Sequence, residues 1–368
     1  MKQLTFENTI LSIHKDIQVK LKKTNETIDR YVKSEISIIP KLSKYFFNKR
    51  GKQLRPVLCL LSSKMINSNY SQLNSDISMA AALEFIHGAT LLHDDVIDKG
   101  KIRRGQRSIN DIWNNKFSVL LGDFMFSKSF QLMTKGNSLN AMGSLAEVSS
   151  KISEGEFVQL SNEKNISIKI DEYINIISLK TAELFGAAMK VPAILTNKSP
   201  RLIKQLNNLG INFGIIFQII DDNLDYFGGK KTGKVIGQDF YEGKITLPII
   251  LLFKKISNDE KDKIKIIFQK EKRTKKDLKE VIQLLQKYEI EQECREYAEK
   301  ISVKSLGILN QFKNIYIIQQ LYSIDLYFDN NIFRIFFHYS LDLILDHPHL
   351  LQHKKFLNYF LPKHNNPV

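Results

Sequence analysis

The chain has 368 residues with 43% hydrophobic side chains, enough for one large domain or two small ones. Its formal charge is +15, from 54 Lys and Arg against 39 Asp and Glu, a balance that suits nucleic acid, an anionic membrane or a phosphorylated substrate. No run of about 18 apolar residues occurs, so a spanning helix is not expected. The greasiest stretch, Ile245–Phe253, is short and contains Pro248, and no secretory h-region opens the chain.

Taken in chain order, helical periodicity dominates, and an all-α fold of roughly a dozen helices is expected. Pro40 and Gly51 interrupt the early part. Met79, Leu83, Ile86 and Thr90 mark one face of a helix over 74–98. Gly100 and Gly105 bracket a basic loop. Helices follow over 138–159, 171–189 and 201–226, and Gly228, Gly229, Gly233 and Gly237 then make a second loop. No segment alternates with period two. Lys254–Lys287 carries much of the excess charge and reads as solvated helix faces. Beyond residue 324 the chain turns aromatic and histidine-rich, with His338, His347, His349, His353 and His364 among its eight histidines. Their spacing fits no standard metal site, so 325–368 reads as an extension to a domain over 1–324. Cys59 and Cys294 read as free thiols in a reducing, cytoplasmic setting.

Two acidic clusters carry the chemistry. Asp94-Asp95-Val96-Ile97-Asp98 follows Leu91-Leu92-His93, and Asp221-Asp222-Asn223-Leu224-Asp225 follows Gln218-Ile219-Ile220. Both read DDxxD at the end of an amphipathic helix. Asp94 and Asp98 stand at i and i+4, so their carboxylates share one helix face. Like charges there are destabilising, and the dipole at a helix C-terminus also disfavours anions. Such clusters are poor structural chemistry unless cations occupy them, and oxygen-only donors suit Mg2+. A lone DDxxD would be an ordinary acidic helix end. Here there are two, each flanked by apolar residues and each followed by bases: Arg103, Arg104 and Arg107, then Lys230, Lys231 and Lys234. Carboxylates, metals and guanidinium groups together make a site for a diphosphate. Gly228–Lys234 imitates a P-loop, but Val235 stands where Ser or Thr would bind Mg2+, and a helix precedes it where a strand is required.

These motifs, in this order, resemble the trans-isoprenyl diphosphate synthases (the polyprenyl synthetases), most closely the long-chain members. The resemblance runs from about Phe46 to Leu252 and more loosely to Ile324. It rests on Gly51-Lys52-Gln53-Leu54-Arg55-Pro56, on both aspartate motifs with Arg103-Arg104-Gly105, and on Glu154-Gly155-Glu156 with Gln159-Leu160. Lys180-Thr181 and Glu242-Gly243-Lys244 with Thr246-Leu247-Pro248 complete it. It implies a single large helical bundle around a central prenyl-chain cavity, and a Mg2+-dependent prenyltransferase. It also implies that Lys52, Arg55 and His87, helped by Arg104, bind isopentenyl diphosphate. Asp94, Asp95 and Asp98 would hold two Mg2+ ions on the allylic diphosphate, which Arg103 also contacts. Asp221, Asp222 and Asp225 would hold a third. Lys180, Thr181, Gln218, Lys234 and Lys244 would line the allylic diphosphate from the other side. Gln53 departs from the family's usual basic residue, Gln238 from an acidic or Asn residue, and the tail from the usual ending.

The expected reaction ionises an allylic carbon–oxygen bond, lets the isopentenyl double bond attack the cation, and releases a proton, with the freed diphosphate as the base the resemblance implies. Water must be excluded, and the loop from Gly228 to Gly237 is a candidate lid. Product length is steric. Ala89 lies five residues before Asp94, about 7.5 Å deeper along the helix, with Thr90 beside it. Short-chain relatives carry an aromatic residue there. Two small residues, with Ile86 a turn deeper, predict a C30 to C50 product, octaprenyl diphosphate (C40) above the others, for quinone side chains. Phe85 and Phe157 are candidate floors. A homodimer and loose membrane contact are further expectations, and nucleic acid is not an expected partner. The competing readings are a farnesyl or geranylgeranyl diphosphate synthase, a terpene cyclase, and a non-catalytic subunit of a heteromeric synthase.

Overall fold

The computed structural model describes residues 6–67, 69–228 and 236–309. The expected boundary at 324, the histidine-rich tail, and Lys230, Lys231 and Lys234 lie outside these residues.

The chain is all-α, as the periodicity implied. Its helices in order are α1 (Phe6–Tyr31), α2 (Ile38–Phe47), α3 (Leu54–Ile66), α4 (Ser75–Ile97), α5 (Ile109–Ile112), α6 (Asn115–Lys135), α7 (Leu139–Ser161), α8 (Ile170–Ile177), α9 (Glu183–Leu195), α10 (Pro200–Phe227), α11 (Gln238–Glu242), α12 (Leu247–Lys255), α13 (Asn258–Gln269), α14 (Lys275–Lys287) and α15 (Ile290–Leu309). Polar residues set several starts. Ser138 Oγ accepts from Ala141 N before α7, and Ser199 Oγ accepts from Leu202 N before α10, where Pro200 fills the first turn. Capping boxes, Ser257 with Glu260 and Thr274 with Asp277, open α13 and α14.

Two features depart from the sequence expectation. Ile102–Arg103 and Gln106–Arg107 form a small antiparallel hairpin, with Ile102 opposite Arg107. Two residues per strand are too few for alternation to register. The helix expected over 171–189 is in fact α8 and α9 joined by a π-helical turn, Ser178–Ala182. A single wide turn leaves the average helical period nearly unchanged, and such bulges often sit at functional sites.

The buried side chains form two cores. The first gathers residues of α1–α7 and α9; the second gathers α8 and α11–α15. Helix α10, 28 residues and about 42 Å long, belongs to both. Leu206, Leu209 and Phe213 pack in the first, and Ile215, Ile216, Ile219 and Ile220 in the second. The first aspartate cluster thus ends a helix of the first core, and the second lies on the part of α10 that packs in the second core. The lysines of α13 and α14 are solvated, as expected: Lys287 pairs with Glu260 and Lys265 with Asp262 at the surface. Cys59 and Cys294 are buried and free. No helix among the described residues is long and apolar enough to cross a membrane.

Candidate active site

The last turn of α4 bears the first aspartate cluster, and each carboxylate there meets a cation of the chain. Asp95 is buried, and both Nε and Nη2 of Arg103 reach its Oδ1, at 2.8 and 2.7 Å. The hairpin carries this guanidinium. Asn110 Nδ2 donates to the carbonyls of Asp95 and Gly100 (2.9 and 3.0 Å), and Ser108 Oγ donates to that of Gly100 (2.7 Å), which ties the loop to the helix end. Lys180 Nζ lies 2.5 Å from Glu156 Oε2 and 3.9 Å from Asp94 Oδ2. Lys244 Nζ lies 2.8 Å from Asp98 Oδ2 and 2.7 Å from Glu242 Oε2. Two lysines, each paired with a glutamate from its own side of the site, thus flank the cluster.

The electrostatics follow. Burial pushes the Asp94 carboxyl up to about 6; Glu156 and Asp98 add to the rise and Lys180 opposes it. Burial also raises Asp95, against the pull of Arg103. Burial alone would lower the Lys244 pKa, but Asp98, Glu242 and Asp239 outweigh it and hold the ammonium above its ordinary range.

The second cluster is built differently. Asp222 is buried, and neutral groups satisfy it: Tyr173 OH donates to Oδ2 and Gln218 Nε2 to Oδ1, both at 2.7 Å. Gln218 is itself oriented by the Thr181 hydroxyl, which donates to its Oε1 (3.0 Å). Burial, with Asp239 adding, raises the Asp222 pKa well above its ordinary value. Asp225 accepts from the backbone N–H groups of Gln238 and Asp239, each at 3.1 Å, and so caps α11. Asp221 alone of the three is half-exposed.

The six carboxylates expected as metal ligands differ in burial. Asp95, Asp222 and Asp225 are buried and accept from protein donors, while Asp94, Asp98 and Asp221 are half-exposed, with Asp98 also accepting from Lys244. Their all-oxygen donor set fits Mg2+. No three carboxylate, imidazole or thiol side chains among the described residues converge on one point closely enough to hold a metal.

The residues expected at the isopentenyl diphosphate gather beside α4. Arg55 is buried at the start of α3, its guanidinium 4.3 Å from the centre of the Phe185 ring. Burial lowers its pKa to about 10. Arg104 Nη1 donates to the Lys49 carbonyl at 2.8 Å. Lys52 is exposed. Burial, then Arg55, Arg104 and Arg103, lower the His87 pKa well below 6.5, so the imidazole is neutral. Beneath them lies Glu84, 3% exposed, whose pKa burial raises while Arg104, Arg55 and Arg50 pull it down. Gln53 faces away from this group: its Nε2 donates to Asn25 Oδ1 (2.8 Å), as does Arg50 Nη1.

Of the candidate length-setting residues, Ile86 and Ala89 are fully buried in the first core, and Thr90 folds its hydroxyl back onto the His87 carbonyl (2.8 Å). Phe85 stands one turn below Ala89 on the same helix face and meets Phe47 edge-on at 5.9 Å. Phe157 is 74% exposed, so it forms no floor within its own chain. Sequence reading missed Glu84, Tyr173 and the lysine-holding roles of Glu156 and Glu242. The two latter residues stand inside the quoted motifs. Glu84 and Tyr173 carry no local signal, since only the fold surrounds them with partners.

Residues 36–285 match the profile of the polyprenyl synthetase family. An octaprenyl diphosphate synthase of Escherichia coli (strain K12) is 39% identical over 227 residues, 61% of this chain and 69% of that one. A geranylgeranyl pyrophosphate synthase of Geoglobus acetivorans is 35% identical over 243 residues, 64% of this chain and 75% of its own. The crystal structure of a polyprenyl synthase from Caulobacter crescentus CB15, complexed with calcium and isoprenyl diphosphate, superposes with a TM-score of 0.83 at 32% identity, covering 87% of this chain and 97% of that one. With the motifs in order, the helical fold and this breadth of match, the chain belongs to the polyprenyl synthetase family and is a prenyltransferase.

Proposed function

We propose that the chain is a long-chain all-trans polyprenyl diphosphate synthase, which condenses isopentenyl diphosphate onto an allylic diphosphate such as farnesyl diphosphate and makes octaprenyl diphosphate (C40) for quinone side chains. The observation that carries the reading is the charge layout: an acidic cluster flanked by two glutamate-held lysines, with a separate arginine group around His87 and Glu84, about two to three turns back along α4. One set of charges suits a leaving diphosphate and the other a diphosphate that is only held. The length assignment rests on the small side chains of Ala89 and Thr90 and on the octaprenyl diphosphate synthase relative.

Asp94, Asp98 and Asp221, the more exposed carboxylates, would be donors for up to three Mg2+ ions, which when bound would stabilise charge on the departing diphosphate. The chain's own groups do the rest. Lys180 and Lys244 present ammonium groups already held by Glu156 and Glu242, so little reorganisation is needed as negative charge grows. Arg55, Arg104 and Lys52 anchor the isopentenyl diphosphate, and neutral His87 donates an N–H without adding charge. Holding both substrates turns a bimolecular encounter into an oriented one. The electrons of the isopentenyl double bond form the new carbon–carbon bond, and the released diphosphate takes the proton. Apolar residues of the first core exclude water from the cation. The exposed apolar side chains of Leu120 on α6 and Phe157 on α7 support a homodimer, which sedimentation of the purified chain tests.

The main test incubates the protein with farnesyl diphosphate, labelled isopentenyl diphosphate and Mg2+, and resolves the dephosphorylated products by length. A ladder ending near C40 is expected, shortened by Ala89→Phe and abolished by Asp94→Ala. A folded wild type that incorporates nothing sinks the reading.

A further inference from the structure

Lys244 reaches Asp98 from the far side of the seam between the two cores, and something must fix that reach. Its backbone lies in a tight turn after α11. Lys244 N donates to the Asp239 carbonyl (3.0 Å), and the Gly243 carbonyl accepts from Lys164 N (3.1 Å). Gly243 has φ +83°, a region costly for residues with a Cβ.

Behind this turn lies Arg273, from the link between α13 and α14, outside every motif. It is 8% exposed. Nη1 donates to the carbonyls of Phe268 (2.8 Å) and Lys270 (3.1 Å), and Nη2 to that of Tyr241 (3.0 Å). A Cβ on Gly243 would come within 2.6 Å of Nη2, so the turn rests directly on the guanidinium. The rings of Phe240 and Phe268 each stand 5.8 Å from its centre. Burying a cation is costly, and an apolar side chain would fill this space at lower cost. A rigid fork of donors is what an apolar residue, or a lysine, cannot supply.

We propose that Arg273 is a positioning residue for the allylic diphosphate: it clamps the α11–α12 turn from behind and so sets how far the Lys244 ammonium extends to Asp98. The inference rests on Lys244 acting at the allylic diphosphate, as proposed above. It joins the α13–α14 link, at the outer edge of the second core, to a carboxylate on α4 in the first.

The test is a double-mutant cycle of Arg273→Lys and Lys244→Ala in the full chain, assayed well below the melting temperature of each variant. The KM for farnesyl diphosphate and the KM for isopentenyl diphosphate are measured separately. Arg273→Lys is expected to raise the allylic KM about tenfold, the scale of one charge-assisted contact, to leave the isopentenyl KM unmoved, and to add nothing in the Lys244→Ala background. Should Arg273→Lys fold poorly, Gly243→Ala perturbs the same contact and is expected to show the same pattern. Equal effects of the Arg273 change with and without Lys244, or parallel shifts in both KM values, overturn the positioning role while leaving the function intact. An unchanged allylic KM in Lys244→Ala alone overturns the reading of Lys244, and the inference with it.

Discussion

Gly155 on α7 faces the π-helical turn that presents Lys180 and Thr181. A Cβ there would lie 2.7 Å from Lys180 N, 2.8 Å from Leu179 Cβ and 3.1 Å from the Leu179 carbonyl carbon. Ordinary contact begins near 3.4 Å, so Gly155→Ala must push backbone, not a flexible side-chain tip, by about 0.7 Å. A movement of that size alters the 3.0 Å bond from Thr181 to Gln218. It also moves Lys180 from its place beside Glu156 and Asp94. Misplacement on the order of 1 Å costs about a hundredfold in rate, and overpacking costs about 1–3 kcal/mol of stability. Gly155→Ala is therefore expected to cut kcat by about ten- to a hundredfold in a single-addition assay at saturating substrates, with a lower melting temperature. Gly143→Ala, about three turns earlier on α7, is the control. It is exposed with nothing within 4 Å of its Cβ, so the change should leave kcat alone and gain up to about 1 kcal/mol of helix stability. A Gly155→Ala enzyme with kcat within about twofold of wild type refutes the claim that this backbone contact sets the site.

Three further outcomes are expected. Because burial and three arginines hold the His87 pKa well below 6.5, the unfolded chain takes up a proton near that pH that the folded site refuses; stability is full above about 6.5 and falls as the pH drops below it. The isopentenyl KM should then show no step near pH 6.5, and a step that vanishes in His87→Gln counts against a neutral imidazole. Tyr173→Phe leaves one oxygen of the buried Asp222 without its donor, which should lower stability by about 1–3 kcal/mol and weaken the Mg2+ dependence of turnover; unchanged melting and Mg2+ curves would remove Tyr173 from the site. Asp277 is held at about 2 by Lys270 and the Thr274 N–H, below an ordinary 3.8. Its contribution is complete above 3.8 and disappears as the pH falls through about 2, so the melting gap between wild type and Asp277→Asn should close over that window.

Much of this site was legible because its chemistry demands charges at fixed spacing. Two DDxxD clusters at helix ends, each followed by bases, conflict with local energetics and so announce a ligand. What sequence could not resolve was which partner each carboxylate meets. Asp94 and Asp95 are adjacent and chemically alike, yet one meets a hairpin arginine and the other a lysine from a distant turn. That difference depends on which way each side chain leaves the last turn of α4, and on a hairpin too short to show a period. Tyr173 was hidden for a related reason. A tyrosine on an amphipathic helix reads as core, and nothing local says that its hydroxyl ends on Asp222. The π-helical turn escaped because periodicity averages over a whole helix. Phe157 shows the opposite error, an apolar residue on a helical face that points to solvent.

The sharing of α10 by both cores bears on how the protein comes apart. Were each half a separate unit, one could open while the other stayed closed. A single column of residues from Leu206 to Ile220 walls both, so neither can dissolve without exposing the other's apolar surface. The middle of α10 should be among the last segments to exchange its amide protons, opening only with the whole molecule. Its last two turns bear Asp221 and Asp222, so loss of the acidic cluster and global unfolding should form one cooperative event, not two.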